Sequence, residues 1–184
     1  AALMLGLMAT LAVARHLSPE AFGSLSYLLA LASLAAPLMA LGLNSIVTRE
    51  LVTRPNDASL IVGSSISLRL AAGSCVGQVI IALAYVFLTA DEAHLLAFLL
   101  ISSIFNAALV IEFCLQAQTA NHYASMVRLA SMLVFTIARL LAVFNDADMA
   151  IFVYLSGLEG VCVAFLYMLV YQKIGNGVNQ LRAS

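Results

Sequence analysis

"MAIFVYLSGLEGVCVAFLYMLVY", residues 149–171, runs for 23 residues with a single charged side chain, Glu159. A helix needs about 20 predominantly apolar residues to cross the hydrocarbon core, rising ~1.5 Å per residue. This stretch is therefore long enough to span a bilayer. The segment before it repeats the pattern: over 125–144 the only charges are Arg128 and Arg139, the latter set in "FTIARLLAVF" (135–144). Across all 184 residues, 64% are hydrophobic and 9% charged, with mean hydropathy +1.06. A soluble domain carries about 25% charged residues, so a chain with this little charge cannot dress a water-facing surface. The fold class that follows is all-α and integral to a membrane.

Charges and turn residues divide the chain into six apolar segments, at about 1–14, 21–43, 60–90, 95–115, 125–144 and 149–171. The first is too short to span and lacks the leading positive charges of a signal peptide. It reads as a transmembrane helix missing its first turns, so the chain is expected to be a fragment, truncated. Short connections predict that consecutive helices are antiparallel neighbours. In "SPEAFG" (18–23), Ser18 suits an N-cap, Pro19 the first helical position and Glu20 the positive helix end. Pro37 should kink the second span, as membrane bundles tolerate. Gly73 and Gly77 form a GxxxG that reads as a packing face.

Orientation follows from Lys and Arg near the ends of the spans. Arg49, Arg54, Arg128, Lys173 and Arg182 fall on one side, and Arg15 falls on the other with Glu20, Asp91, Glu92, Asp146 and Asp148. The cation-rich side is expected in the cytoplasm, with the N-terminus.

Little else carries chemistry. Net charge −1 argues against a nucleic-acid partner. "DEAH" (91–94) spells a helicase box by letter, yet it stands between two membrane spans with no phosphate loop, and reads as an outer turn. No GxxxxGK[ST], HExxH, GxSxG or CxxC occurs. His16, His94 and His122 fall in three loops on two sides, and Cys75, Cys114 and Cys162 lie within apolar spans. No metal site and no enzyme chemistry are expected.

Four ionisable residues remain within or at the edge of spans: Arg69, Glu112, Arg139 and Glu159. A charge in hydrocarbon costs roughly 2.5–3.5 kcal/mol on insertion scales, so it faces protein or water and takes a partner. Glu159 is close to the centre of its span, and Arg139 sits ~6 Å outward of the centre of its own. Arginine's reach closes that gap, which predicts an Arg139–Glu159 pair near the midplane. Arg69 and Glu112 both fall toward the cytoplasmic ends of the third and fourth spans. Two readings stand for all four: lining of a wet internal cavity, or ties that merely hold helices together.

"ARHLSPEAFGSLSYLLALASLAAPLMALGLNSIVTREL" (14–51) resembles the N-terminal signature of the polysaccharide biosynthesis membrane proteins. These are O-antigen and other lipid-linked oligosaccharide flippases of the multidrug/oligosaccharidyl-lipid/polysaccharide exporter superfamily. The pattern Ala-Arg-x-Leu-Gly-Pro-x-x-Phe-Gly, an apolar helix, then Leu-Gly-Leu and a basic turn is met by Ala14, Arg15, Leu17, Pro19, Phe22, Gly23, Leu41, Gly42, Leu43, Asn44 and Arg49. Ser18 departs from the usual Gly. "EFCLQAQ" (112–118) is similar to the stretch closing the family's fourth helix. The resemblance implies a transporter of two roughly six-helix lobes, this chain being the N-terminal lobe and the C-terminal lobe absent. It further implies flipping of polyprenyl-pyrophosphate-linked oligosaccharide across the bacterial inner membrane, with Arg139, Glu159, Arg69 and Glu112 lining the path. No cofactor is implied, only coupling to a proton or sodium gradient; membrane lipid and the second lobe are the other partners. The alternatives are a multidrug or cation antiporter of the same superfamily, a membrane-embedded glycosyltransferase, and a structural membrane subunit.

Overall fold

A computed structural model describes residues 2–40, 42, 44–53, 58–109, 112 and 121–181, and among these there is no strand. The helices are α1 (Ala2–His16), α2 (Pro19–Met39), α3 (Asn44–Thr53), α4 (Ala58–Phe87), α5 (Ala90–Ile104), α6 (Asn121–Phe144) and α7 (Met149–Leu181). A 3₁₀ turn, Phe105–Leu109, continues α5. Five stretches are long and apolar enough to cross a membrane: Pro19–Met39, Gly63–Phe87, Ala90–Ala107, Ser125–Phe144 and Met149–Val170.

Burial runs opposite to that of a soluble protein. Phe144 and Phe87 are 83% and 82% exposed while Arg69 is 5% exposed. Water would penalise such a surface, and lipid does not. The chain is a multi-pass membrane protein.

Local chemistry sets the helix starts. Ser18 Oγ accepts from the Ala21 N–H at 3.2 Å, with Pro19 opening α2 and Glu20 in its first turn, as the sequence predicts. Thr89 and Glu92 form a reciprocal capping box at the start of α5, which satisfies two otherwise orphaned N–H groups. That box corrects the reading of "DEAH" as a turn, because Asp91–His94 are already helical. Pro37 stands inside α2, in its last turn, and the helix ends two residues later. Beyond it, Asn44–Thr53, which falls between the second and third apolar segments read from the sequence, forms α3.

At the centre is α5, which packs on α2, α4 and α7; 39% of its span is buried, against 11% for that of α6. Its Leu96, Leu99 and Leu100 join Leu28 of α2 with Phe152 and Val153 of α7 in the core. A tight contact falls at Gly157 of α7. A β-carbon there would lie 2.5 Å from Phe98 Cε1 and 2.8 Å from Ser102 Oγ, so only a residue without one allows this α5–α7 contact. Met39 lies over Gly73 and Gly77, and the GxxxG face therefore serves packing between α4 and α2.

Sequence neighbours are not always spatial neighbours. Pairs α4–α5 and α6–α7 pack extensively, α1 touches α2 only marginally and lies chiefly on α6, and α5 shares no packing with α6 among the described residues. The buried face of α5 is already filled by α2, α4 and α7, which leaves α6 on the outside of α7. Leu17, Leu88, Ala147 and Met149 all pack against one core cluster. The α1–α2, α4–α5 and α6–α7 turns, with their five acidic residues, thus share one end of the bundle.

Candidate functional site

Two polar clusters each take an arginine from α6. Arg128 and Arg139 are eleven residues apart on α6, three turns and ~16 Å along the axis, so they occupy one face. Each meets a glutamate.

At the first cluster, Arg139 Nη2 donates to Glu159 Oε2 at 2.7 Å and to Ser156 Oγ at 3.4 Å. Ser156 in turn donates to the Phe152 carbonyl at 2.9 Å, which leaves its oxygen lone pairs facing the guanidinium. Antiparallel α6 and α7 make this pairing reachable, since Arg139 lies five residues before the end of α6 and Glu159 ten residues into α7. Both side chains are about a quarter exposed, 26% and 27%. A charge-assisted bond of 2.7 Å is at the strong end of its class.

The second cluster lines a cavity of ≈ 570 Å³ bounded by α2, α4, α5, the 3₁₀ turn and α6. Arg69 enters it from α4, six residues or ~9 Å inside the apolar part of that helix. Glu112 and Arg128 face it as an ion pair, Oε2 to Nη2 at 3.4 Å, with the glutamate side chain 12% exposed and the arginine 66%. Tyr167 of α7 is fully buried and lies within electrostatic reach of Glu112. The remaining polar wall is Asn106, Ser33 and Ser103. Both serine hydroxyls donate to carbonyls of their own helices, Ala30 and Leu99, and so offer acceptor oxygens to the cavity. Pro37 adds to this, because it has no N–H to give to the Ser33 carbonyl four residues back. Two guanidiniums, one carboxylate, an amide and hydroxyl oxygens form a surface that suits an anion bearing hydroxyl groups.

The four residues singled out in the sequence are therefore brought together two by two. Arg139 and Glu159 pair with one another, while Arg69 and Glu112 share the cavity wall. Neither Arg139 nor Glu159 is among the residues lining that cavity. Sequence reasoning missed Arg128, Asn106 and Tyr167. Arg128 carried a signal, one turn inside the apolar run 125–144, but it was counted as a loop cation. Asn106 and Tyr167 carried none, being uncharged side chains in greasy segments. Among the described residues no group of three or more His, Cys, Asp or Glu could hold a metal ion.

A family model described as polysaccharide biosynthesis protein matches residues 1–181. No curated protein and no solved structure matches the chain. The match runs far past the signature at 14–51 and takes in every helix and both polar clusters: the chain belongs to the polysaccharide biosynthesis protein family.

Proposed function

We propose that the chain forms one lobe of a flippase that moves polyprenyl-pyrophosphate-linked oligosaccharide across the bacterial inner membrane for surface polysaccharide synthesis. The observation that carries this reading is the cavity whose described wall brings Arg69 and Arg128 together with Glu112, Asn106 and two serines. An anionic, hydroxyl-rich headgroup has to be shielded from hydrocarbon while its lipid tail stays in the bilayer. Bidentate guanidinium groups match phosphate, and Asn106 with the serine oxygens matches sugar hydroxyls. Covalent chemistry is not needed for this task, nor is a cofactor. A proton or sodium gradient supplies the drive, with Glu159 alternating between Arg139 and a proton. The cavity end lies toward the cytoplasm, where Arg49, Arg54, Lys173 and Arg182 would also stand by the positive-inside rule. Cationic drugs, the cargo of the antiporter alternative, are disfavoured by the same arginines.

The test is a cell whose surface polysaccharide depends on this protein. Arg69→Gln and Arg128→Gln should each lower surface polysaccharide severalfold with membrane protein level unchanged. Undiminished polysaccharide in the double variant would refute the reading.

A further inference from the structure

If the cavity receives a phosphate anion, a carboxylate on its wall is out of place, since it repels the cargo. Glu112 is nevertheless held there, its side chain 12% exposed and its Oε2 3.4 Å from Arg128 Nη2, with the buried Tyr167 within electrostatic reach. The 3.4 Å contact is long for a charge-assisted bond, which is typically about 2.7–2.9 Å, and the arginine is 66% exposed. A pair so long and so open is weak and easily exchanged. The Arg139–Glu159 pair, which shares α6 with it, is at 2.7 Å with both side chains about a quarter exposed.

We propose that Glu112 is a resident stand-in for the phosphate of the cargo. In the empty lobe it keeps the Arg128 guanidinium turned to the cavity and partly neutralised. An entering pyrophosphate takes over Arg128, and Glu112 stays with Tyr167, whose buried hydroxyl gives the released carboxylate a donor. Arg69, at 5% exposure, is the fixed cation of the site, and Arg128 is the exchangeable one. The inference rests on the flippase reading for the source of the anion, but its chemistry concerns only a phosphate group and these four side chains.

Binding to the chain in nanodiscs of zwitterionic lipid tests it, with inorganic pyrophosphate and farnesyl pyrophosphate as probes. Glu112→Gln keeps the size of the side chain while removing the competing charge. It should bind about fivefold tighter than the parent, the factor expected for losing a weak ion pair, and Arg128→Gln should bind about tenfold weaker. A gain confined to farnesyl pyrophosphate assigns the site to a lipid-borne phosphate, and a gain shared by both probes assigns it to the phosphate alone. Unchanged or weaker binding by Glu112→Gln, with the parent still binding, overturns the exchange and leaves the anion cavity standing. If neither parent nor variant binds either probe, the anion cavity itself falls. Should Glu112→Gln not fold, Tyr167→Phe takes its place. Without that hydroxyl the carboxylate clings to Arg128, so binding of both probes must weaken, and unchanged binding refutes the exchange.

Discussion

Replacing Arg139 by Met and Glu159 by Leu, singly and together, separates a helix tie from a transport pair. Two unit charges 4 Å apart attract by ~4 kcal/mol at an effective dielectric near 20. Against this stands the cost of placing them in hydrocarbon, roughly 2.5–3.5 kcal/mol each on insertion scales. The two costs sum to about 5–7 kcal/mol, of which the attraction offsets the greater part, while each half is costly alone. A single substitution strands a charge that is only about a quarter exposed, which costs 3–5 kcal/mol when fully buried. Discounted for that exposure and for snorkelling, the single cost is about 2 kcal/mol. Unfolding followed by heating and size-exclusion chromatography should then fall by about 4–8 °C for each single variant. The double variant should recover to within ~1 kcal/mol of the parent, because apolar side chains replace both charges. Surface polysaccharide should remain lost in the double variant despite its restored stability. If the double variant is destabilised by the sum of the singles, the pair is not energetically coupled and the reasoning fails. If it regains export as well as stability, Arg139 and Glu159 are a tie and nothing more.

Gly157→Ala should destabilise the chain by about 1–3 kcal/mol, the range for overpacking, because its β-carbon would sit 2.5 Å from Phe98 Cε1; recovery of melting temperature by adding Phe98→Leu checks the cause. Gly73→Ala meets Met39 only at 3.6 Å, ordinary contact, and should shift stability by less than ~1 kcal/mol in the same melting assay. Thr89→Ala removes the α5 capping box and should cost about 1 kcal/mol, read as faster amide exchange in the first turn of α5. In a background without native cysteines, a cysteine at exposed Arg49 should react with a membrane-impermeant maleimide only after the cytoplasmic side is opened. One at exposed Asp91 should react from outside, and the reverse pattern refutes the orientation.

The spans were legible because lipid imposes a length and a composition that the residues cannot disguise. The Arg139–Glu159 contact was legible too, since depth along two antiparallel helices fixes which charges can meet. Packing order was not. Short loops suggested that each helix lies against the next, but α5 is already covered on its buried face, and α1 takes the place beside α6. That choice depends on side-chain shapes, above all the missing β-carbon at Gly157, which stands in the sequence as one more small residue. The cavity was half legible. Arg69 and Glu112 are charges in apolar text, whereas Asn106, Tyr167 and the carbonyl freed by Pro37 act through uncharged polar groups whose placement is tertiary.

Whether a membrane charge is a tie or a tool depends on how much hydrocarbon surrounds it. Helices in lipid gain no hydrophobic stabilisation from touching each other, so close packing and polar contacts hold them. The span of α6 is the least buried, at 11%, and both ion pairs involve that helix. The Arg139–Glu159 pair, two quarter-exposed charges at 2.7 Å, is strong enough to link α6 to α7 in addition to the transport role proposed for it. The Arg128–Glu112 pair is not. A cation 66% exposed gives at most about 1 kcal/mol to its partner, too little to hold a helix, while the arrangement brings a carboxylate and a second arginine onto one cavity wall. The weaker of the two pairs is thus the one least suited to tie helices, and the substitutions at Glu112 and Arg128 test the proposed anion cavity directly.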